Sequence, residues 1–336
     1  MNFIKNCRSK YYTKRILVPL LLATIVLEMG ILLPGQMSSF NLASVDILKI
    51  SAPDPLEPPQ ECLDKPDGYN KWVCLGPYFT RVTNEVSVRA AMAEARRFKE
   101  EKAVSDCHIS AHLIGETSLE KHNFDTGKAF SSCTSGCNDG CFHGVVERYI
   151  RDEEDLSSSI ASKIKNVCDG LVADPKNAKG FSGETFYRCV HGVGHGLRAH
   201  NYIPLRDAIN ACDAFGPDWR RVCIGGITME NVDQYLELDL DEDTLIKFIP
   251  QICDEIESLD GRILVEIDII DLCLYNVALG LMDYTGFDVE RTEELCEELP
   301  RQKYIDQCKK MIDVIVTVEE PSNIDIAKFI ENRHFR

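Results

Sequence analysis

Five of the eight histidines lie within six residues downstream of a cysteine, in segments that echo one another. These are CHISAHLIGE from Cys107, CFHGVVE from Cys141 and CVHGVGHG from Cys189, with a histidine-free relative, CIGGITME, from Cys223. Aligned on the cysteine, the second and third segments place histidine at +2, glycine at +3 and a carboxylate or histidine at +6. Imidazole nitrogens and carboxylate oxygens are metal ligands and proton carriers. Residues four apart share a helix face, so on helices His108, His112 and Glu116 project together, as do His143 with Glu147 and His191 with His195. Helical bundles build mononuclear and dinuclear metal sites from such pairs on facing helices.

The predicted ligand set is therefore His108, His112, His143, Glu147, His191 and His195. Glu230, one place out of register in the fourth segment, is a further ligand or an outer partner. Glu116 or Glu147, where not coordinating, is the candidate general base toward a metal-bound water. Nitrogen and oxygen donors favour zinc, with copper, iron or manganese as alternatives. Zinc or a dinuclear centre would support hydrolysis, and copper would point to redox chemistry or metal handling. Taken singly, each histidine is more simply a capping or packing residue; five together with partner glutamates reverse that preference. His122, His200 and His334 stand outside the pattern and read as surface residues.

Other chemistries lack their motifs. There is no G-x-S-x-G elbow, phosphate loop, dinucleotide fingerprint, H-E-x-x-H or C-x-x-C-H. The stretch from Glu237 to Asp243 lacks the glycine and terminal glutamate of a calcium loop and reads as a helix start. Glycines 144, 192, 194, 196, 225 and 226 weaken helices, which close helix packing or space beside a ligand would justify.

The elements that must carry these residues are read from the cysteines. Cys168, Cys212, Cys253 and Cys296 follow at intervals of 44, 41 and 43 residues. Each is trailed by a second cysteine, Cys189, Cys223, Cys273 and Cys308, and Cys62 with Cys74 repeats the arrangement. That period suits a helical hairpin clipped by a disulfide. Cys107, Cys133, Cys137 and Cys141 form a denser cluster whose spacing matches neither zinc knuckles nor ferredoxin runs; disulfides, with Cys133–Cys141 and Cys107–Cys137 as one fitting pairing, account for it better. Trp72, Phe186, Trp219, Ile269 and Tyr304, upstream of the second cysteines, are expected to pack inside each turn. Residues 86–104 are rich in helix formers, and DEDTLIKFIPQIC opens with acids suited to a first helical turn.

The predicted fold is all-α: a disulfide-clipped array of helical hairpins, solenoid-like or a curved bundle, behind an N-terminal signal or anchor helix. Boundaries fall at 1–15 for a basic cytoplasmic head, 16–35 for a signal peptide or transmembrane anchor, 36–60 for a proline-rich linker, 61–320 for the repeat domain and 321–336 for a tail. Residues 35–44 offer no clean cleavage site, which tilts the segment toward a retained anchor with the domain outside the cytoplasm. The first 37 residues carry five Lys/Arg against one acid, leaving −21 of the net −17 to the remainder. So acidic a domain excludes nucleic acid as a partner and leaves the N-terminal segment as the membrane contact. The protein or small-molecule partner is not specified. Against the metal-binding class stands a non-enzymatic helical scaffold that binds a protein or peptide on its concave face.

Overall fold

In the computed structural model the described residues are 57–317, without 67, 154–159, 174–181, 201–202, 237, 239 and 259–266. All belong to one compact unit, Pro53–Arg336. The predicted head, apolar segment and tail lie outside the described residues, as do His334 and the linker up to residue 56.

Every regular element among the described residues is helical. In chain order they are α1 (Gln60–Leu63), α2 (Tyr69–Glu85), α3 (Val88–Glu100), α4 (His108–Lys121), α5 (Thr126–Ser132), α6 (Gly140–Arg151), α7 (Ile160–Ala173) and α8 (Ser182–Ala199). There follow α9 (Leu205–Ala211), α10 (Pro217–Leu236), α11 (Glu242–Phe248), α12 (Gln251–Ser258), α13 (Ile267–Tyr284), α14 (Val289–Glu297) and α15 (Gln302–Thr317).

Local chemistry sets several of these boundaries. The Ser87 side chain accepts from the Ala90 amide to start α3, whose Val88, Ala91, Met92, Ala95 and Phe98 form one buried stripe. Asp125, Asp241 and Asp288 cap α5, α11 and α14 in the same way. Asp241, Glu242 and Asp243, the end of the acidic stretch, thus form a helix start, and the helical run expected through DEDTLIKFIPQIC divides around Ile249 and Pro250 into α11 and α12. Proline has no amide hydrogen to continue the ladder.

Helices α2, α4, α6, α8, α10, α13 and α15 pack in chain order, each on the next. The intervening helices lie beside them: α3 against α2 and α4, α7 against α8, and α14 against α13 and α15. Seven disulfides staple this arrangement. Cys62–Cys74, Cys168–Cys189, Cys212–Cys223, Cys253–Cys273 and Cys296–Cys308 each tie an intervening segment to the packed helix that follows. Cys107–Cys137 joins the start of α4 to the turn before α6, and Cys133–Cys141 joins the end of α5 to the first turn of α6. Trp72, Ile269 and Tyr304 are buried as expected, and Phe186 and Trp219 are half-buried and meet edge to face.

Two helix crossings share one device. A Cβ added at Gly144 would stand 2.1 Å from the His112 carbonyl oxygen, and one at Gly115 2.1 Å from that of Cys141. The crossing of α8 with α10 repeats this reciprocity, Gly226 against the His191 carbonyl and Gly194 against that of Cys223, both at 2.1 Å. Only glycine permits backbones to approach so closely, so close packing accounts for these glycines.

Candidate metal centre

Helices α4, α6 and α8 carry the five histidines. His108 opens α4 directly after Cys107, and Cys141 is the second residue of α6, so the first two segments do begin helices. Cys189 and Cys223 instead fall inside α8 and α10, which start upstream at Ser182 and Pro217. A proline at the first helical position after Gly216 begins α10 upstream of its cysteine. The four-residue spacing survives, because it requires only that both residues share a helix.

The close crossings bring the rings together. Ring centroids run from His108 to His112 at 4.5 Å, to His195 at 4.7 Å, to His191 at 5.0 Å, to His143 at 4.6 Å and back to His108 at 5.7 Å, a closed circuit of five imidazoles. One donor atom from each of His108, His112, His143 and His195 lies within 4.8 Å of the other three. His191 adjoins them outside that group. A second group, Glu147, His195 and Glu230, meets the same limit and shares His195.

Hydrogen bonds fix how several rings present their nitrogens. His108 Nδ1 meets the Cys137 carbonyl at 2.9 Å. A carbonyl only accepts, so that nitrogen bears the proton and Nε2 presents its lone pair. Nε2 faces His112 Nε2 at 3.1 Å, close to the roughly 3.3 Å between neighbouring ligands of a tetrahedral zinc with bonds of about 2.05 Å. His112 Nδ1 lies 2.8 Å from Glu147 Oε2, and His195 Nδ1 lies 3.2 Å from Glu230 Oε2. Both pairs are the carboxylate–imidazole arrangement that orients ligating histidines. His191 Nδ1 is 3.3 Å from the Val222 carbonyl. Both nitrogens of His143, and Nε2 of His195, are buried without a hydrogen-bond partner. Such a group costs about 1–3 kcal/mol unless something satisfies it.

Burial holds all five rings neutral. It pulls the pKa of His108 and His112 down to about 4 and that of His191 to about 3, and puts His143 and His195 well below the ordinary range. Neighbouring imidazoles add to the effect on His108, His143, His191 and His195. Neutral imidazole is the ligating form. Burial likewise raises the Glu116 and Glu147 carboxyls.

Glu116 stands one turn beyond His112, outside both donor groups, where Arg151 grips both its carboxylate oxygens. The same guanidinium reaches Glu147 Oε1 at 3.0 Å. Arg151 and the Cys137 carbonyl are contributions that the sequence reasoning did not single out. Arg151 had a signal: it follows Glu147 by four residues and Glu116 by 35, the separation that also links His112 to Glu147 and His195 to Glu230. The sequence marked Cys137 as a disulfide partner but not its carbonyl, which is aimed by a left-handed turn through Cys137, Asn138 and Asp139, with φ of 50°, 52° and 58°. His122 is half-buried, and His200 meets the Glu153 carbonyl at 3.2 Å; neither joins the centre.

Fold and site together define a class: an all-α, disulfide-stapled domain with a buried histidine cluster spread over consecutive packed helices. Comparisons with protein-family models, with curated proteins and with solved structures return no match to this chain.

Proposed function

We propose that this is an extracytoplasmic metal-binding protein in which His108, His112, His143 and His195 hold one divalent transition metal ion, zinc before copper, iron or manganese. The observation that carries the proposal is the convergence of four imidazole donors within 4.8 Å, with His143 and His195 offering buried nitrogens that no hydrogen bond satisfies. An ion coordinated there would use those lone pairs. Four imidazoles complete a tetrahedral shell, and a closed shell suits holding or handling a metal more than hydrolysis. Glu147 then orients His112 and raises its basicity, Glu230 does the same for His195, and Glu116 keeps Arg151 in place; the general-base role belongs to the hydrolytic alternative. Histidine donors favour zinc and copper over magnesium or calcium.

Seven disulfides support an oxidising compartment and hence the export reading of the N-terminal segment. No described helix is long and apolar enough to cross a membrane, and the predicted anchor lies outside the described residues. The in-order packing of helices, each clipped to a neighbouring segment, supports an array of helical hairpins. The scaffold alternative predicts imidazoles distributed along such an array, and the convergence of four of them speaks against it.

The test is zinc binding by the full, oxidised chain stripped with a chelator, measured by native mass spectrometry and competition with a chromophoric chelator. Wild type is expected to hold at least one zinc per chain, and His143→Ala to bind it at least tenfold more weakly with unchanged helical circular dichroism. No stoichiometric zinc in the folded wild type overturns the proposal.

A further inference from the structure

We infer that Glu147, His195 and Glu230 form a second divalent-cation site, joined to the first through the His195 ring; this rests on the metal-binding reading above. The three residues come from α6, α8 and α10, so the second site draws in a helix that supplies no ligand to the first. Their donor atoms lie within 4.8 Å of one another, and the side chains are 6%, 0% and 13% exposed. His195 belongs to both donor groups, and an imidazole has two ring nitrogens able to coordinate. Its Nδ1 faces Glu230, while Nε2 is buried without a hydrogen-bond partner.

His112 to Glu147, at 2.8 Å, and His195 to Glu230, at 3.2 Å, are both carboxylate–imidazole hydrogen bonds, the second at the long end of the N–H···O range. What sets His195 apart is that its ring belongs to both donor groups. Electrostatics points the same way. Glu147 and Glu230 approach each other in a buried place, and the guanidinium that meets Glu147 is shared with Glu116. Buried charges are paired or coordinate metals, and a cation held by both carboxylates would serve each of them.

With one ion bound, the Nδ1 proton of His195 is donated to Glu230. The second ion takes the place of that proton: the N–H bond breaks, a metal–nitrogen bond forms, and the proton leaves to buffer, with no change of oxidation state. One nitrogen and two carboxylates make a harder donor set than four imidazoles, suited to zinc, manganese(II) or iron(II) rather than copper(I). Three protein ligands also leave a position for water, which the first site does not.

Zinc alone is the probe. The full, oxidised, chelator-stripped chain is titrated at pH 7.5, with stoichiometry read by native mass spectrometry and proton release by an indicator dye in weak buffer. Wild type is expected to bind two zinc ions, the second weaker and accompanied by about one released proton. Glu230→Gln keeps an acceptor for the His195 N–H but is a poorer one, and is expected to bind one zinc, more weakly than wild type binds its first, with no second equivalent and no proton released by one. One zinc in both proteins overturns the second site and leaves the first standing; none in wild type overturns both. Two in both proteins places the second ion elsewhere and overturns this assignment. If Glu230→Gln loses its helical signal, wild-type proton release decides alone: a second equivalent that binds without releasing a proton overturns the proposal.

Discussion

Each ring of the cluster is held neutral by burial rather than by a partner, and that has a pH consequence for the metal-free protein. An unfolded histidine titrates near 6.5, while His108 and His112 in the fold titrate near 4 and His191 near 3. Between those values the unfolded chain binds protons that the folded chain refuses, so stability falls as pH drops from about 6.5 toward about 4. Glu116, Glu147 and Asp139, whose pKa values are raised by burial, contribute with the opposite sign and offset part of the loss. Five depressed imidazoles outweigh three raised carboxyls, so urea midpoints of the metal-free protein should be lower at pH 5 than at pH 7. A midpoint that rises on acidification would mean the rings are charged in the fold. The i,i+4 spacing made His108, His112 and Glu116 legible as one helix stripe, yet it could not tell that Arg151 draws Glu116 away from the ligands. That depends on a guanidinium from a different helix.

Helices reach this geometry because glycine lets backbones nearly touch. An alanine at Gly144 would thrust its Cβ to 2.1 Å from the His112 carbonyl, where backbone rather than a yielding side chain must move. Gly144→Ala should therefore cost at least about 2 kcal/mol in chemical denaturation, the range of core overpacking, and weaken zinc binding by shifting α4 against α6. Gly170, within α7, has nothing within 4 Å of its would-be Cβ. Gly170→Ala should be neutral or stabilising by up to about 1 kcal/mol through helix propensity alone. Equal effects of the two substitutions would show that propensity, not the crossing, dominates at Gly144. Glycine at +3 in the repeated segments was visible as a pattern; the reciprocal pairing of Gly144 with Gly115, and of Gly226 with Gly194, needed the crossing itself.

Across the molecule, seven disulfides close loops with sequence separations of 8 to 30 residues. At roughly 2–4 kcal/mol apiece they make a large part of its resistance to unfolding, although non-additivity forbids summing them. Full reduction with alkylation should lower the thermal midpoint by more than 10 °C, or abolish cooperative unfolding, as followed by far-ultraviolet circular dichroism. A midpoint unchanged by reduction would mean the apolar core suffices. Cys107–Cys137 has a local role as well, because it secures the turn whose carbonyl accepts the hydrogen bond from His108 Nδ1.

The sequence by itself determined the all-helical class, the grouping of cysteines into clipped pairs and the identity of the histidine-bearing segments. These rest on periods and spacings short enough to be set along one helix or one loop. Tertiary structure decided which donors meet. Four of the five histidines share one donor group, His191 adjoins it, Glu147 and Glu230 gather around His195, and Glu116 turns to Arg151. Convergence depends on the depth and angle at which α4, α6, α8 and α10 cross, and those are fixed by backbone contacts between residues far apart in the chain, which no local spacing encodes.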